Sequence, residues 1–416
     1  MVSVHTSPLD QPGGGDAGGL NVYVVELAKR LARRGVNVEI FTRASSSGLP
    51  STVQLAPGVL VRHVLAGPYG LLGKRELPPQ LCAFTAEMLA AEAAREPGAY
   101  DLVHSHYWLS GQVGRLVAER WGVPLVHSMH TMAKVKNAVH VAGEIPEPPA
   151  REREEERIAV AADRLVASTG EEAAQLVALY GATADRVRVV PPGVDLSAYH
   201  PGPAAEARRR LGLASDAAVL LFVGRLQPHK APDLLLRAAA RLLTKDPALG
   251  RRLVVAVVGG PSGGDLGERA RLGRLAADLG IESVVRFEDP GPSTWLADWY
   301  RAATATVVPS YSESFGLAAL ESQACGTPVV AASVGGLRTA VRDGLTGVLV
   351  ERHDPAHYAE ALRRLVTDPS WRSTLGGQAA AHAARFGWDT TAERITEVYT
   401  GAMAQKRSDS ATAVSR

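Results

Sequence analysis

The sequence predicts two doubly wound, Rossmann-like α/β domains facing each other across a cleft. Three observations carry the prediction. Short β-branched runs alternate with longer amphipathic stretches, the pattern of a parallel sheet covered on both faces by helices. The alternation stops at Val187-Arg188-Val189-Val190, passes through Pro191-Pro192-Gly193-Val194-Asp195, and restarts at Ala218. Two prolines and a glycine after a strand make a stiff turn suited to a hinge. A length of 416 residues also suits at least two domains.

In residues 1–195, strands are expected at 36–41, 59–64, 102–105, 124–128, 164–168 and 187–190. Helix-like stretches at 21–34, 80–95 and 110–121 lie between them, and 157–165 leads into the fifth strand. Met1-Val2-Ser3-Val4-His5 reads as a strand already under way, so the first strand is expected to be short and the sheet beside His5 weakened. Residues 197–213 form a polar, Arg-rich bridge into the second domain, 196–387. Its strands are expected at 218–223, 253–258, 284–287, 306–308, 329–331 and 347–350. A C-terminal helix, 388–403, joins the first domain, and the polar residues 404–416 are expected to be a disordered tail.

Composition narrows the function classes. Hydrophobic residues make up 46% of the chain, enough for more than one core, and the formal net charge is only +2. Bulk charge therefore implies no nucleic acid or other polyanion partner. Two distant cysteines, Cys82 and Cys325, give no disulfide framework or zinc spacing and read as small core residues. No apolar run reaches the roughly 18 residues a membrane span needs, and the start lacks a signal pattern. A cytoplasmic protein without a membrane partner is expected.

Glu313-Ser314-Phe315-Gly316-Leu317-Ala318-Ala319-Leu320-Glu321 is the most informative stretch. It follows the apolar run 305–309 and opens another, which reads as strand, turn, helix. A helix start offers free N–H groups and partial positive charge to an anionic leaving group. Spaced just over two turns apart, the two carboxylates are expected near one side of the element, where they can accept hydrogen bonds from sugar hydroxyls. A second constellation is Gln11-Pro12-Gly13-Gly14-Gly15-Asp16-Ala17-Gly18-Gly19-Leu20-Asn21, between the first strand and first helix. Its glycines let backbone N–H groups approach an anion. It matches neither a dinucleotide fingerprint nor a Walker loop. A third is Gly224-Arg225-Leu226-Gln227-Pro228-His229-Lys230, two cations on one strand-to-helix loop, able to neutralise a diphosphate as charge accumulates on it.

The first domain adds Lys74, Tyr107, Thr131 and Arg151. Tyr107 and Thr131 follow strand carboxyl ends, where open α/β sheets hold ligands. Together the four make a small-phosphate pocket. Arg151–Arg157 is otherwise a solvated helix face. His104, His106, His127 and His130 fall on two separate strands with no clear acidic ligand, a poor zinc set. No Asp-x-Asp occurs, so Arg225 and Lys230, rather than a metal, are expected to carry charge neutralisation at the diphosphate.

Taken together, these motifs resemble the retaining glycosyltransferases of the GT-B fold. Closer resemblance lies in His5-Thr6-Ser7-Pro8, Gly15–Tyr23, His104-Ser105-His106-Tyr107-Trp108-Leu109-Ser110-Gly111 and His130-Thr131-Met132-Ala133-Lys134. These are similar to the D-inositol-3-phosphate glycosyltransferase family, and the resemblance runs from His5 to about Tyr399. It implies transfer of N-acetylglucosamine from UDP-GlcNAc to 1D-myo-inositol 3-phosphate, with retention, as the first step of mycothiol biosynthesis. It implies that Lys74, Tyr107, Thr131 and Arg151 hold the acceptor phosphate, with His5 and Asp16, Ala17, Gly18, Gly19, Leu20 and Asn21 lining the same site. It implies that Gln11, Pro12, Gly19, Gly291, Phe315, Gly316, Leu317 and Glu321 contact the donor. Arg225, Lys230 and Glu313 take the catalytic positions: the first two clamp the diphosphate, Glu313 meets the donor sugar and Glu321 the ribose. Gly291, on the loop near the uracil, stands where some relatives have a larger side chain, so backbone contact is expected there. No catalytic cofactor is implied, but a structural Mg2+ near Tyr300, Arg301, Ala303 and Thr327 is, as is a homodimer. The alternatives are a transferase using another sugar phosphate, as sucrose-phosphate synthase does, a non-catalytic nucleotide-sugar binding protein, or a membrane mannosyltransferase.

Overall fold

The computed structural model describes residues 1–139, 141, 144–261 and 267–414, with side chains to 411. The first half carries strands Val38–Arg43 (β1), Thr52–Ala56 (β2), Val59–Val64 (β3), Val103–His106 (β4), Leu125–Ser128 (β5), Arg164–Ala167 (β6) and Val187–Val189 (β7). The two runs β2-β3-β1 and β4-β5-β6-β7 are joined by Val2, which bridges Phe41 on one side and Ser105 on the other. The short first strand is thus one residue wide in pairing, yet it closes the sheet directly before His5. Every pairing is parallel except β2 with β3. This antiparallel edge strand was not expected.

The second half carries Ala218–Val223 (β8), Leu253–Val258 (β9), Val285–Glu288 (β10), Ala305–Val308 (β11), Val329–Ala332 (β12) and Gly347–Val350 (β13). All pair in parallel, in the order β10-β9-β8-β11-β12-β13. Chain order reverses between β8 and β11, and such switch points open a crevice at the carboxyl ends of the strands. The Arg225–Lys230 loop follows β8 and the Glu313–Gly316 turn follows β11, so both fall there. Residues 197–213, the polar, Arg-rich bridge, contain a helix at Ala204–Arg210.

The helix Trp388–Val414 packs back on the first half: Trp388, Ile395, Val398 and Tyr399 share a buried cluster with Tyr23, Leu27 and Ile40. At the crossover, a Cβ on Gly193 would stand 2.6 Å from Trp388 Cα, so only glycine permits this approach. Residues 404–414, expected to be disordered, continue the helix. They are Ala-rich and free of Gly and Pro, and Gln405 donates to Asp409 Oδ1 one turn away at 2.8 Å. Residues 415 and 416 lie outside the described residues. Cys325 is buried as expected, but Cys82 is exposed, because it falls on the outer face of helix Leu81–Ala93.

Candidate active site

The diphosphate clamp is built from two loops of the second half. After β8 the chain turns through Pro228–Lys230 and enters the helix Pro232–Lys245 by way of Ala231, at φ +50°. This directs Lys230 Nζ to donate to Glu313 Oε2 at 2.5 Å, where Ser310 Oγ also donates at 3.2 Å. Burial pushes the Glu313 carboxyl up, but Lys230 beside it outweighs burial and holds it below its ordinary value. The Glu313 turn is fixed from outside. Gly336 N donates to Glu313 O at 2.9 Å, and a Cβ on Gly335 would stand 2.4 Å from that oxygen.

The two glutamates do not share a face. Gly316, at φ +99°, ends the turn, and the helix runs only over Leu317–Ala324. Glu313 therefore sits outside the helix, while Glu321 in its second turn accepts the Tyr300 hydroxyl at 2.8 Å. Burial pushes the Glu321 carboxyl up to about 7. The Phe315 ring is buried beside Phe386, which leaves its backbone alone available to a donor. Gly316 and Leu317 stand at the helix start, where the first N–H groups have no partner within the helix, the arrangement that suits an anionic leaving group.

The glycine-rich loop crosses the cleft. Gly260 N donates to Gly13 O at 2.9 Å, Gly15 N to Pro261 O at 3.0 Å, and Gln11 Nε2 to Gly291 O at 3.2 Å. Pro12 lies between these ties, half-buried. Gly13 has φ +103°, and a Cβ there would lie 2.9 Å from Pro290 Cβ. Gly18 leaves room for Arg225, whose Nε would be 3.1 Å from an added Cβ, and Gly19 faces Leu317 in the same way at 3.4 Å. Ala17 is buried and Leu20 half-buried. Asn21, expected beside the acceptor, has its side chain engaged within the loop. Its amide accepts from Gly18 N at 3.2 Å and Thr6 Oγ1 at 3.1 Å and donates to Ser7 O at 2.6 Å, so it braces the loop.

The four residues read as a phosphate pocket do converge. Tyr107, at φ +75°, follows β4 directly, and its ring lies 4.5 Å from that of His5. Arg151 lies over the Tyr107 ring at 4.8 Å and Lys74 at 6.0 Å. Arg151 Nη2 donates to Thr131 O at 3.0 Å and Thr131 Oγ1 at 2.9 Å. Asp16 accepts Lys74 at 2.8 Å and stands 3.7 Å from Arg225, which ties the pocket to the diphosphate clamp. Burial, then the charges of Lys74 and Arg225, push the His5 imidazole well below its ordinary value, so His5 is neutral in a cationic site.

Several contacts of the site carried no readable signal. His130, at φ +60°, accepts the Ser314 hydroxyl through its carbonyl, joining the halves beside Glu313. Glu144 Oε1 meets His229 Nδ1 at 2.6 Å and accepts from His229 N at 3.2 Å. Glu147 meets Arg151 at 2.9 Å and Lys136 at 2.5 Å. A left-handed non-glycine residue and pairings across about 85 positions cannot be seen in a linear chain. The histidines of the cluster bond to each other and to hydroxyls: His104 to Tyr399 and Ser128, His127 to Ser105, His106 to His130.

The residues expected around a structural Mg2+ offer hard oxygen donors. Thr327 Oγ1 donates to Tyr300 O at 2.6 Å, and Ala303 ends the helix Ser293–Ala302, where carbonyls point outward. The Arg301 guanidinium is spent on His200 O and Ala198 O, so that residue could offer only its carbonyl. Carbonyl and hydroxyl oxygens are donors that magnesium takes, but Tyr300 O already accepts Thr327 Oγ1 and Ala303 N, and no group of three or more His, Cys, Asp or Glu side chains that could hold a metal ion gathers among the described residues.

Comparison with known proteins agrees with this geometry. The family model for glycosyl transferases group 1 matches residues 204–382, and that for glycosyltransferase family 4 matches residues 17–198. Relatives named D-inositol 3-phosphate glycosyltransferase include those of Thermomonospora curvata, 63% identical over 96% of this chain and 94% of that protein, and Thermobispora bispora, 62% identical over 97% and 94%. Among solved structures, sucrose-phosphate synthase from Thermosynechococcus elongatus superimposes with a TM-score of 0.90 at 32% identity, covering 97% of this chain and 98% of that one. Anabaena HepE in complex with UDP-glucose gives 0.76 at 20% identity, covering 96% and 99%, which is a likeness of fold. The two doubly wound halves, the clamp at the switch point and this degree of identity over nearly the whole length lead to one conclusion: the chain is a GT-B glycosyltransferase and belongs to the D-inositol 3-phosphate glycosyltransferase family.

Proposed function

We propose that this protein transfers N-acetylglucosamine from UDP-GlcNAc to 1D-myo-inositol 3-phosphate with retention of configuration, in the cytoplasm, as the first step of mycothiol biosynthesis. The observation that carries the proposal is the convergence of Lys74, Tyr107, Thr131 and Arg151 on one pocket, linked through Asp16 to Arg225 of the donor clamp. A phosphate on the acceptor supplies the negative charge that such a pocket is built to meet. The names of the relatives point to the same acceptor.

The chemistry follows from which groups are free. Glu313 is tied to Lys230 and Asp16 to Lys74, so neither carboxylate is placed as a nucleophile. The acceptor hydroxyl attacks the anomeric carbon on the face from which UDP leaves. The anomeric C–O bond to the diphosphate breaks through an oxocarbenium-like state, and the electron pair goes to the diphosphate oxygen. Arg225, Lys230 and the N–H groups at Gly316 and Leu317 neutralise that oxygen. The acceptor proton passes to the departing diphosphate. Glu313 holds the donor sugar by its hydroxyls and Glu321 holds the ribose. A Mg2+ held by the carbonyls of Tyr300, Arg301 and Ala303 and by Thr327 would cap a helix end and take no part in the reaction. A homodimer belongs to the same reading.

The product tests the proposal. UDP-GlcNAc and 1D-myo-inositol 3-phosphate should give an α-linked pseudodisaccharide phosphate, identified by its anomeric proton in NMR. A β-linked product, or none, would overturn it.

A further inference from the structure

Arg151 presents a problem for any pocket that is to receive a phosphate, because all three nitrogens of its guanidinium are already engaged. Nε donates to Glu155 at 2.6 Å, Nη1 lies 2.9 Å from Glu147, and Nη2 donates twice to Thr131. The partners differ in kind. Glu155 is wholly buried and also accepts Ala133 N at 2.8 Å, so it is a fixed part of the core. Glu147 is partly exposed, and its carboxylate spans two cations, meeting Lys136 Nζ at 2.5 Å through its other oxygen. Burial pushes its carboxyl up, but Arg151 and then Lys136 together outweigh burial and hold it down to about 2. Its backbone is pinned on both sides by Asn137, which accepts Glu147 N at 2.8 Å and donates to Glu147 O at 3.1 Å. The side chain can therefore swing away while the chain stays in place.

We propose that Glu147 is a resident anion at the acceptor-phosphate position, displaced when the phosphate binds, and that Lys136 then becomes a further phosphate-holding residue beside Arg151. This rests on the reading of the pocket as a phosphate site. A carboxylate bridging two cations offers two oxygens and one negative charge; a phosphate dianion offers three oxygens and more charge, so the exchange favours phosphate. A neutral polyol brings no charge to replace the one removed, so it cannot displace Glu147. The resident carboxylate keeps the cations compensated in the empty site and sets the threshold for the acceptor.

The test uses Glu147→Gln and Lys136→Met in the full chain, with binding of inorganic phosphate measured by calorimetry and acceptor kinetics measured beside it. Glu147→Gln should bind inorganic phosphate about tenfold tighter and lower the acceptor KM by a similar factor, and Lys136→Met should raise that KM about tenfold with kcat and the donor KM unchanged. Weaker or unchanged phosphate binding in Glu147→Gln, with a melting temperature near wild type, would overturn the proposal. If Glu147→Gln unfolds, Glu147→Asp, which shortens the reach to the two cations, should show the same tightening, and its absence is equally decisive. The two measurements separate the two readings: wild type failing to turn over inositol phosphate in the kinetics counts against the function, whereas unchanged phosphate affinity of the variant in calorimetry counts against the exchange alone.

Discussion

Lys230 Nζ donates to Glu313 Oε2 at 2.5 Å, joining two residues 83 positions apart at the switch point of the second sheet. The pair orients the cation before any donor arrives and keeps Glu313 ionised despite its burial. Lys230→Ala should lose about two to three orders of magnitude in kcat, since a positioned charge at a leaving group contributes on that scale. The fold should persist, as judged by circular dichroism and a cooperative melt. Near-normal turnover would show that Lys230 is no part of the clamp.

Glu321 gives a pH dependence whose sign can be worked out. Its carboxyl is raised from 4.5 to about 7 in the folded protein. Between these values the unfolded chain gives up the proton first, so Glu321 makes folding less favourable as pH rises from 4.5, fully so above 7. Glu321→Gln should therefore raise the melting temperature at pH 8 and leave it almost unchanged at pH 4.5. A ribose hydroxyl donates best to the ionised form, so donor KM in wild type should fall as pH rises through 7. That trend should vanish in Glu321→Gln.

The glycine-rich loop makes a steric prediction. At Gly18 an added Cβ meets Arg225 Nε at 3.1 Å, and at Gly13 it meets Pro290 Cβ at 2.9 Å with φ at +103°. Gly18→Ala should shift Arg225 and lower kcat about tenfold with little change in melting temperature. Gly13→Ala should keep the loop from closing on the second half and raise donor KM. Steady-state kinetics distinguishes the two patterns.

Glu144 caps His229 next to Lys230 from the opposite half. Removing this tie in Glu144→Ala should loosen closure and admit water to the donor. The ratio of UDP released without acceptor to UDP released with it should rise several-fold. An unchanged ratio would show that other ties, such as Gly260 to Gly13, suffice for closure.

Much of this architecture was legible because its strands are short runs rich in β-branched and other apolar residues. Val59–Val64, Ala218–Val223, Leu253–Val258 and Gly347–Val350 appear with their expected bounds. β2 gives a weak signal because Thr52–Ala56 is a half-buried edge strand following the polar stretch Ser45–Gly48. Residues 404–414 resemble a tail because polarity reports exposure, whereas helicity depends on propensity and the absence of breakers. The site residues were readable as types: cations after strand ends, glycines before a helix, carboxylates in a turn. Their pairings were not. Nothing in the order of residues says that Asp16 bridges Lys74 and Arg225, or that Glu321 turns away from Glu313 to meet Tyr300. Those contacts depend on how the two halves face each other.

UDP release from UDP-GlcNAc, measured with 1D-myo-inositol 3-phosphate, with fructose 6-phosphate and with no acceptor, tests the central claim most directly. The phosphate pocket and clamp predict rapid release with inositol 3-phosphate and near-background release in the other two. Equal or faster release with fructose 6-phosphate, or release independent of acceptor, would contradict it.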